Sequence, residues 1–182
     1  MDSMKILPFI FVAMAAGFVG FSHAGWVSPT GVRLPETEDM RSAGLFAAQL
    51  VLTTEDSVLR KNWITTRGTP TLPSTNTVRP RQNLRALIVF HGCKANKFGY
   101  CNVVADYSME SPDGTRMIIG TGPVWKGPPA KVGYLQLSQV SADISFVSTS
   151  MTGTYTIRAI VRDTVANAVI TLANSRLVYS KN

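Results

Sequence analysis

The densest concentration of reactive side chains in this sequence is FHGCKANKFGYC, residues 90–101, which holds both cysteines, Cys93 and Cys101, beside His91, Lys94 and Lys97. Three kinds of chemistry use such a set. Two thiolates and an imidazole can hold zinc or copper, but a closed site takes four ligands, so another would have to come from Met109 or Asp106. Two thiols can exchange with a disulfide, although reactive pairs favour Cys-x-x-Cys, which this is not. A pair at the ends of two adjoining strands can also simply be bonded. A connection this short brings its ends within the roughly 4.4–6.8 Å Cα separation a disulfide spans, and closing it stabilises by roughly 2–3 kcal/mol. The expected outcome is a structural disulfide, Cys93–Cys101, with no metal and no cofactor; Gly92 and Gly99 supply the backbone freedom of the turn.

Catalysis by His91, Asp106 and a serine would need a nucleophile on a strained turn. The sequence has no Gly-x-Ser-x-Gly elbow, and both His91 and Asp106 fall within or at the ends of strands. No catalytic residues are expected. Trp26, Trp63 and Trp125 could stack on sugar rings, but their scatter along the chain favours packing.

Charge is the other candidate source of function. The formal net charge is +7. From Ser57 to Ala105 there is no Asp or Glu, while the same stretch carries Arg60, Lys61, Arg67, Arg79, Arg81, Arg85, Lys94 and Lys97. Such asymmetry attracts anionic partners, and Arg79, Arg81, Arg85, Lys94 and Lys97 are the candidate anion-binding residues; a solvated basic face is the plainer reading. The strands lack the aromatic pattern of single-strand nucleic-acid readers, so no nucleic-acid partner is expected.

These residues must be positioned by an exported fold. The first residues carry Lys5, then an apolar run from Ile6 to Phe21, then Ser22-His23-Ala24. Small residues at 22 and 24 fit a signal peptide, residues 1–24, cleaved after Ala24. The run is broken by Pro8, Gly17 and Gly20 and is shorter than the roughly 20 residues of a membrane span. Secreted or periplasmic localisation follows, in an oxidising compartment that suits the disulfide. His91 is then the single histidine of the mature chain, which excludes most two-histidine metal chemistry.

Residues 25–75 read as an extended lead, with a strand or helix at Leu45–Thr53 and a short helix over Glu55–Arg67 capped by Asp56 or Ser57. GTPTLPSTNTVRPRQ reads as a loop. From Leu84 the pattern is β. LRALIVFH is nearly all apolar, as for a strand buried on both sides. CNVVADYSME alternates, with Val103, Ala105, Tyr107 and Met109 on one face. SPDG is a turn and TRMII the next strand. GTGPVWKGPPAKVG reads as a crossing in which Val124 and Trp125 dip into the core, followed by strands at YLQLSQV and DISFV. TYTIRAIVRD puts Tyr155, Ile157, Ala159 and Val161 inward and Arg158 and Arg162 outward, and AVITLANSRLVYS closes the series. The fold class is all-β: an antiparallel sandwich of seven to eight strands over 76–182.

At MTGTYTIRAIVRD the chain resembles immunoglobulin-like domains, in which a tyrosine corner, here Gly153 and Tyr155, precedes the penultimate strand. Met151 stands where many carry Asp, and Ile157 stands where antibody-type domains place a cysteine. Gly92-Cys93, Cys101, Pro112-Asp113-Gly114, Val124-Trp125-Lys126 and Gly153-Thr154-Tyr155 together resemble small exported bacterial proteins with one such domain, a group that implies a fold and no activity. The expected function is a non-enzymatic secreted or periplasmic interaction module that contacts another envelope or secreted protein, by strand addition or through loops. The alternative is a binder of an anionic envelope component: lipopolysaccharide, acidic polysaccharide or phospholipid headgroups.

Overall fold

The apolar run Leu84–Phe90 forms a strand with protein on both sides, because one of its faces lines the sandwich and the other lies under a helix and an N-terminal segment. The computed structural model describes residues 25–27, 32–65 and 72–181. Residues 1–24, read above as a signal peptide, and residues 66–71, read as part of a loop, lie outside the described residues. In chain order the elements are β1 (Met40–Ala43), β2 (Phe46–Thr53), α1 (Asp56–Thr65), β3 (Thr77–Val78), β4 (Asn83–His91), β5 (Cys101–Glu110) and β6 (Arg116–Gly127). They continue with β7 (Gln136–Leu137), β8 (Ala142–Ser145), β9 (Gly153–Asp163) and β10 (Ala168–Tyr179).

Two five-stranded sheets pack face to face. The first runs β1-β2-β4, with β4 continued by β7 near one end and β8 near the other; the second runs β3-β10-β9-β5-β6. All pairings are antiparallel except the short parallel contact of β3 with β10. The fold is an all-β sandwich. Between the sheets, Phe46, Leu50, Ile88 and Phe90 meet Val103, Ile157, Leu172 and Tyr179. The period-two alternation of β5 and β9 produces this: odd-numbered residues 103–107 and 155–163 are buried, Met109 partly so, and the even ones face outward.

The outer face of the first sheet is also covered. Ala47, Val51, Leu87 and Val89 form a second cluster with Trp26 and with Leu59 from α1, and Trp63 packs against it. The helix begins at Asp56 itself, whose carboxylate pairs with Arg60 one turn on at 2.9 Å. The segment read as a lead is therefore part of the sandwich. β2 bonds to β4 from Ala47↔His91 to Thr53↔Arg85, and the strand assignment at Leu45–Thr53, open against a helix because of Ala47 and Ala48, resolves to a strand. Residues 37–40 also join the sheets: the N–H of Leu50 donates to Asp39 O and that of Ala173 to Glu38 O, each at 2.8 Å.

Two readings are corrected. The expected crossing at 120–133 is strand as far as Gly127, because β6 absorbs two extra residues, Ile119 and Val124, as bulges while staying paired to β5. YLQLSQV narrows to the two-residue ladder of β7. Among the described residues no helix is long and apolar enough to cross a membrane.

Candidate functional site

The Cys93–Cys101 loop is bonded across its base, with Cα atoms 6.0 Å apart. Asn96 organises its interior. The side-chain Oδ1 accepts from the N–H groups of Phe98 (2.9 Å) and Tyr100 (3.2 Å), while its own N–H donates to Tyr100 O (2.9 Å). The buried carboxylate of Asp163 anchors the root. It accepts Lys94 N–H at 2.6 Å on one oxygen, and Val165 and Ala166 N–H at 3.0 and 3.3 Å on the other. Gly92, at φ 71°, lies so close to Leu45 O that a Cβ would sit 1.9 Å from it, so the β1–β2 turn is stacked on the loop. What this framework presents to solvent is apolar and basic: Phe98 is 70 % exposed, with Lys97 Nζ 5.0 Å from its ring centre, and Tyr100 and Leu45 are exposed as well.

A second loop, 128–135, leaves the same end of the sandwich. It starts after Gly127, opposite Cys101, and returns at Gln136, opposite Phe90. Gln136 ties it down by donating to Pro128 O at 2.9 Å, and its Oε1 touches Cys93 Sγ at 3.6 Å. The tip is a turn closed by Tyr134 N–H to Lys131 O at 3.0 Å; Gly133 takes φ 84° there, leaving Val132 and Tyr134 exposed beside Lys131. Lys126 sits at the end of β6, across from Asn102. The four segments at this end, residues 44–45, 92–100, 128–135 and 164–167, contain no Asp or Glu.

The basic residues singled out in the sequence divide between the two ends. Arg79 and Arg81 lie on the turn before β4, Arg81 with φ 66°, and Arg85 is ion-paired to Asp143. Lys94 and Lys97 follow the other end of β4, beyond His91, about 20 Å from Arg85 at roughly 3.3 Å per residue. Arg60 is held by Asp56 and Ser138 O. The five candidates do not form one patch. Lys94 and Lys97 are instead joined by Lys126 and Lys131, which the sequence reading missed. Their only signal was the Gly- and Pro-rich context, and strand pairing is what brings them there. On the outer face of the second sheet three arginines are paired: Arg162 with Asp106 at 2.6 Å, and Arg158 and Arg116 with Glu110 at 2.7 and 2.6 Å. Hydrogen bonds from Thr121 and Arg162 hold the Asp106 carboxyl below its usual pKa, and those from Arg158 and Arg116 do the same for Glu110.

His91 and Asp106 stand on opposite outer faces of the molecule, with both sheets between them. His91 packs edge-on to Trp26 at 5.2 Å, and burial lowers its pKa. Trp26 and Trp63 share the outer cluster and Trp125 packs on Phe90, so the three indoles form no common platform. Among the described residues no three of His, Cys, Asp and Glu are grouped as metal ligands. Two surface clefts, of about 90 and 230 Å³, fall below the roughly 300 Å³ at which small-molecule sites begin. At the start of β9 the Tyr155 hydroxyl donates to Met151 O at 2.7 Å.

The remaining feature is an open sheet edge. Thr164 N–H donates to Asn102 O, so Asn102 bonds toward β9, and antiparallel alternation turns every second β5 residue the same way. Their partners on β6, among them Arg116, Ile118 and Thr121, then direct N–H and C=O outward. Further along, Gln139 covers the edge through Val124 O and Lys126 N–H. Ile118, 79 % exposed, is the most exposed large apolar side chain on the open part. Comparison with known proteins finds no family model that matches this sequence and no characterised protein similar to it.

Proposed function

We propose that this chain is a non-enzymatic binding module, exported by a leader ending at Ala24, that contacts another envelope or secreted protein by adding a strand to β6. The open main-chain groups of Arg116, Ile118 and Thr121 carry the reading, because an unpaired edge is what strand addition requires. The resemblance to immunoglobulin-like domains is supported by connectivity. Of the seven main strands, β2, β4 and β8 share one sheet and β10, β9, β5 and β6 the other, with the corner tyrosine opening β9. The bulges and Pro123 limit self-pairing of the edge, since the missing N–H of Pro123 faces outward.

The test is Ile118→Pro, which removes an outward donor without touching the β5 ladder. With a photo-reactive side chain at Thr121, the parent protein should cross-link one envelope protein from a periplasmic extract, in high salt as well as low. Ile118→Pro should abolish the adduct with an unchanged melting temperature. Equal cross-linking by both would remove the edge from the mechanism. A second reading, binding of an anionic envelope component, is favoured by the acid-free end that carries Lys94, Lys97, Lys126 and Lys131.

A further inference from the structure

The two ends of the sandwich differ in kind. At the end of Arg79 and Arg81, cations and anions are mixed: Asp113, Glu55 and the pairs Arg85–Asp143 and Arg116–Glu110 lie there. At the other end four lysines have no acid on the four loops around them; of the carboxylates nearby, Asp163 at the root is buried and committed to backbone N–H groups, and Glu36, beside β1, is held by the N–H and hydroxyl of Ser42. The apolar side chains there do not line a concavity. They project from loop tips: Phe98 at 70 % exposure, Val132 fully exposed, and Leu45, Tyr100 and Tyr134 more than half exposed.

Protruding apolar tips ringed by lysines match neither a sugar site nor a nucleotide site, both of which enclose their ligand. They match a flat surface with an anionic outer layer and an apolar layer a few ångströms below. Aromatic rings favour the interfacial zone of a bilayer, and lysines favour its phosphates. The loops are also built to enter such a layer without reorganising. The disulfide, the Asn96 hydrogen bonds and the Gln136–Pro128 bond hold both in place before any contact is made, so little ordering entropy is lost on docking.

We propose that this end of the sandwich docks on an anionic phospholipid surface, Phe98 and Val132 entering the headgroup layer while Lys94, Lys97, Lys126 and Lys131 rest on the phosphates. The proposal rests on the anionic-ligand reading above and names its ligand. The strands then stand steeply to the membrane plane. The β6 edge, which runs along the side of the sandwich, stays open to a partner.

The experiment uses the chain from Gly25, which holds every element described, with vesicles of phosphatidylglycerol and phosphatidylcholine and with vesicles of phosphatidylcholine alone. Binding is expected to the first and not the second. Each lysine near such a surface contributes about 1 kcal/mol, about fivefold in affinity, so Lys97→Ala with Lys131→Ala should weaken binding about 25-fold. Arg79→Ala with Arg81→Ala, at the opposite end, should leave it unchanged. A tryptophan reporter, Phe98→Trp, should shift to the blue on binding and be quenched by brominated lipid chains. No binding to the anionic vesicles, equal loss from both double variants, or an unquenched reporter overturns the proposal. Binding to soluble dextran sulfate without binding to vesicles also overturns it while leaving the anionic-ligand reading intact; binding to neither removes both. With a photo-reactive side chain at position 98 instead, a protein adduct in the absence of vesicle binding overturns the proposal and reassigns this end to a protein partner.

Discussion

Replacing Tyr155 by Phe isolates one hydrogen bond at the corner where β9 begins. The ring is 3 % exposed and packs edge-on to Phe146 at 4.9 Å, a contact that phenylalanine keeps. What disappears is the hydroxyl that donates to Met151 O at 2.7 Å. A neutral hydrogen bond of this kind contributes about 0.5–1.5 kcal/mol net, and a buried carbonyl left without a partner would add more. Met151 is exposed, so water can take over its carbonyl, and the expected loss is about 1 kcal/mol. In a domain of this size that lowers the melting temperature by about 2–4 °C, and it lowers the urea midpoint with an unchanged m-value. Tyr107→Phe is the internal control. The Tyr107 hydroxyl is buried without a hydrogen-bond partner among the described residues, and burial drives its pKa up. Its removal should be neutral or stabilising by up to about 1 kcal/mol. Arg158→Ala, which opens a surface ion pair, should cost less than Tyr155→Phe. Equal urea midpoints for the Tyr155 and Tyr107 variants would refute the corner assignment.

Native protein should contain no titratable thiol, and Cys93→Ser with Cys101→Ser should fold yet lose about 2.5 kcal/mol, the chain-entropy value for so short a loop; two reactive thiols in freshly isolated protein would contradict this. Asp106 and Glu110 are held below their unfolded pKa values by their hydroxyl and guanidinium partners, so their stabilising contribution is fully present above the ordinary carboxylate range. It is lost as the pH falls through their lower folded values. Melting temperature should therefore decline as the pH drops below about 4, and Asp106→Asn with Glu110→Gln should flatten that decline; an unchanged acid profile in the double variant would exclude these carboxylates as its source.

The sandwich was legible where one physical rule governed each residue. β5 and β9 turn every second side chain inward, and Ala86–Phe90 has no polar face because both of its faces are covered. β6 was legible only to Ile119. Pro and Gly normally end strands, but here Gly120 leaves room for Ala142 of the other sheet and Pro123 turns its missing N–H away from β5. Neither fact is local. The charged site shows the same division. Lys94 and Lys97 could be placed from the strand that precedes them, whereas their convergence with Lys131 depends on Gly127 pairing with Cys101. Nothing in the sequence near Arg85 reveals that Asp143 neutralises it. The acid-free band is contiguous in sequence, but β4 crosses it and carries its two halves to opposite ends, a separation the length of that strand already implied.

Residues 37–40 carry a consequence for the order of folding. Asp39 bonds to β2, Glu38 bonds to β10, and the side chain of Ser175 donates to Glu38 across a sequence separation of 137 residues. On a ribosome, the segment that joins the two sheets waits for its partner until nearly the whole domain has been made. Until β10 arrives, β9 has a free edge and β3 has nothing to pair with. Long-range pairings of this kind must close large loops before they contribute, which places the folding of such domains in the millisecond-to-second range. The β2–β4 and β5–β6 pairings need no later strand, but the sandwich closes only once β10 has been made.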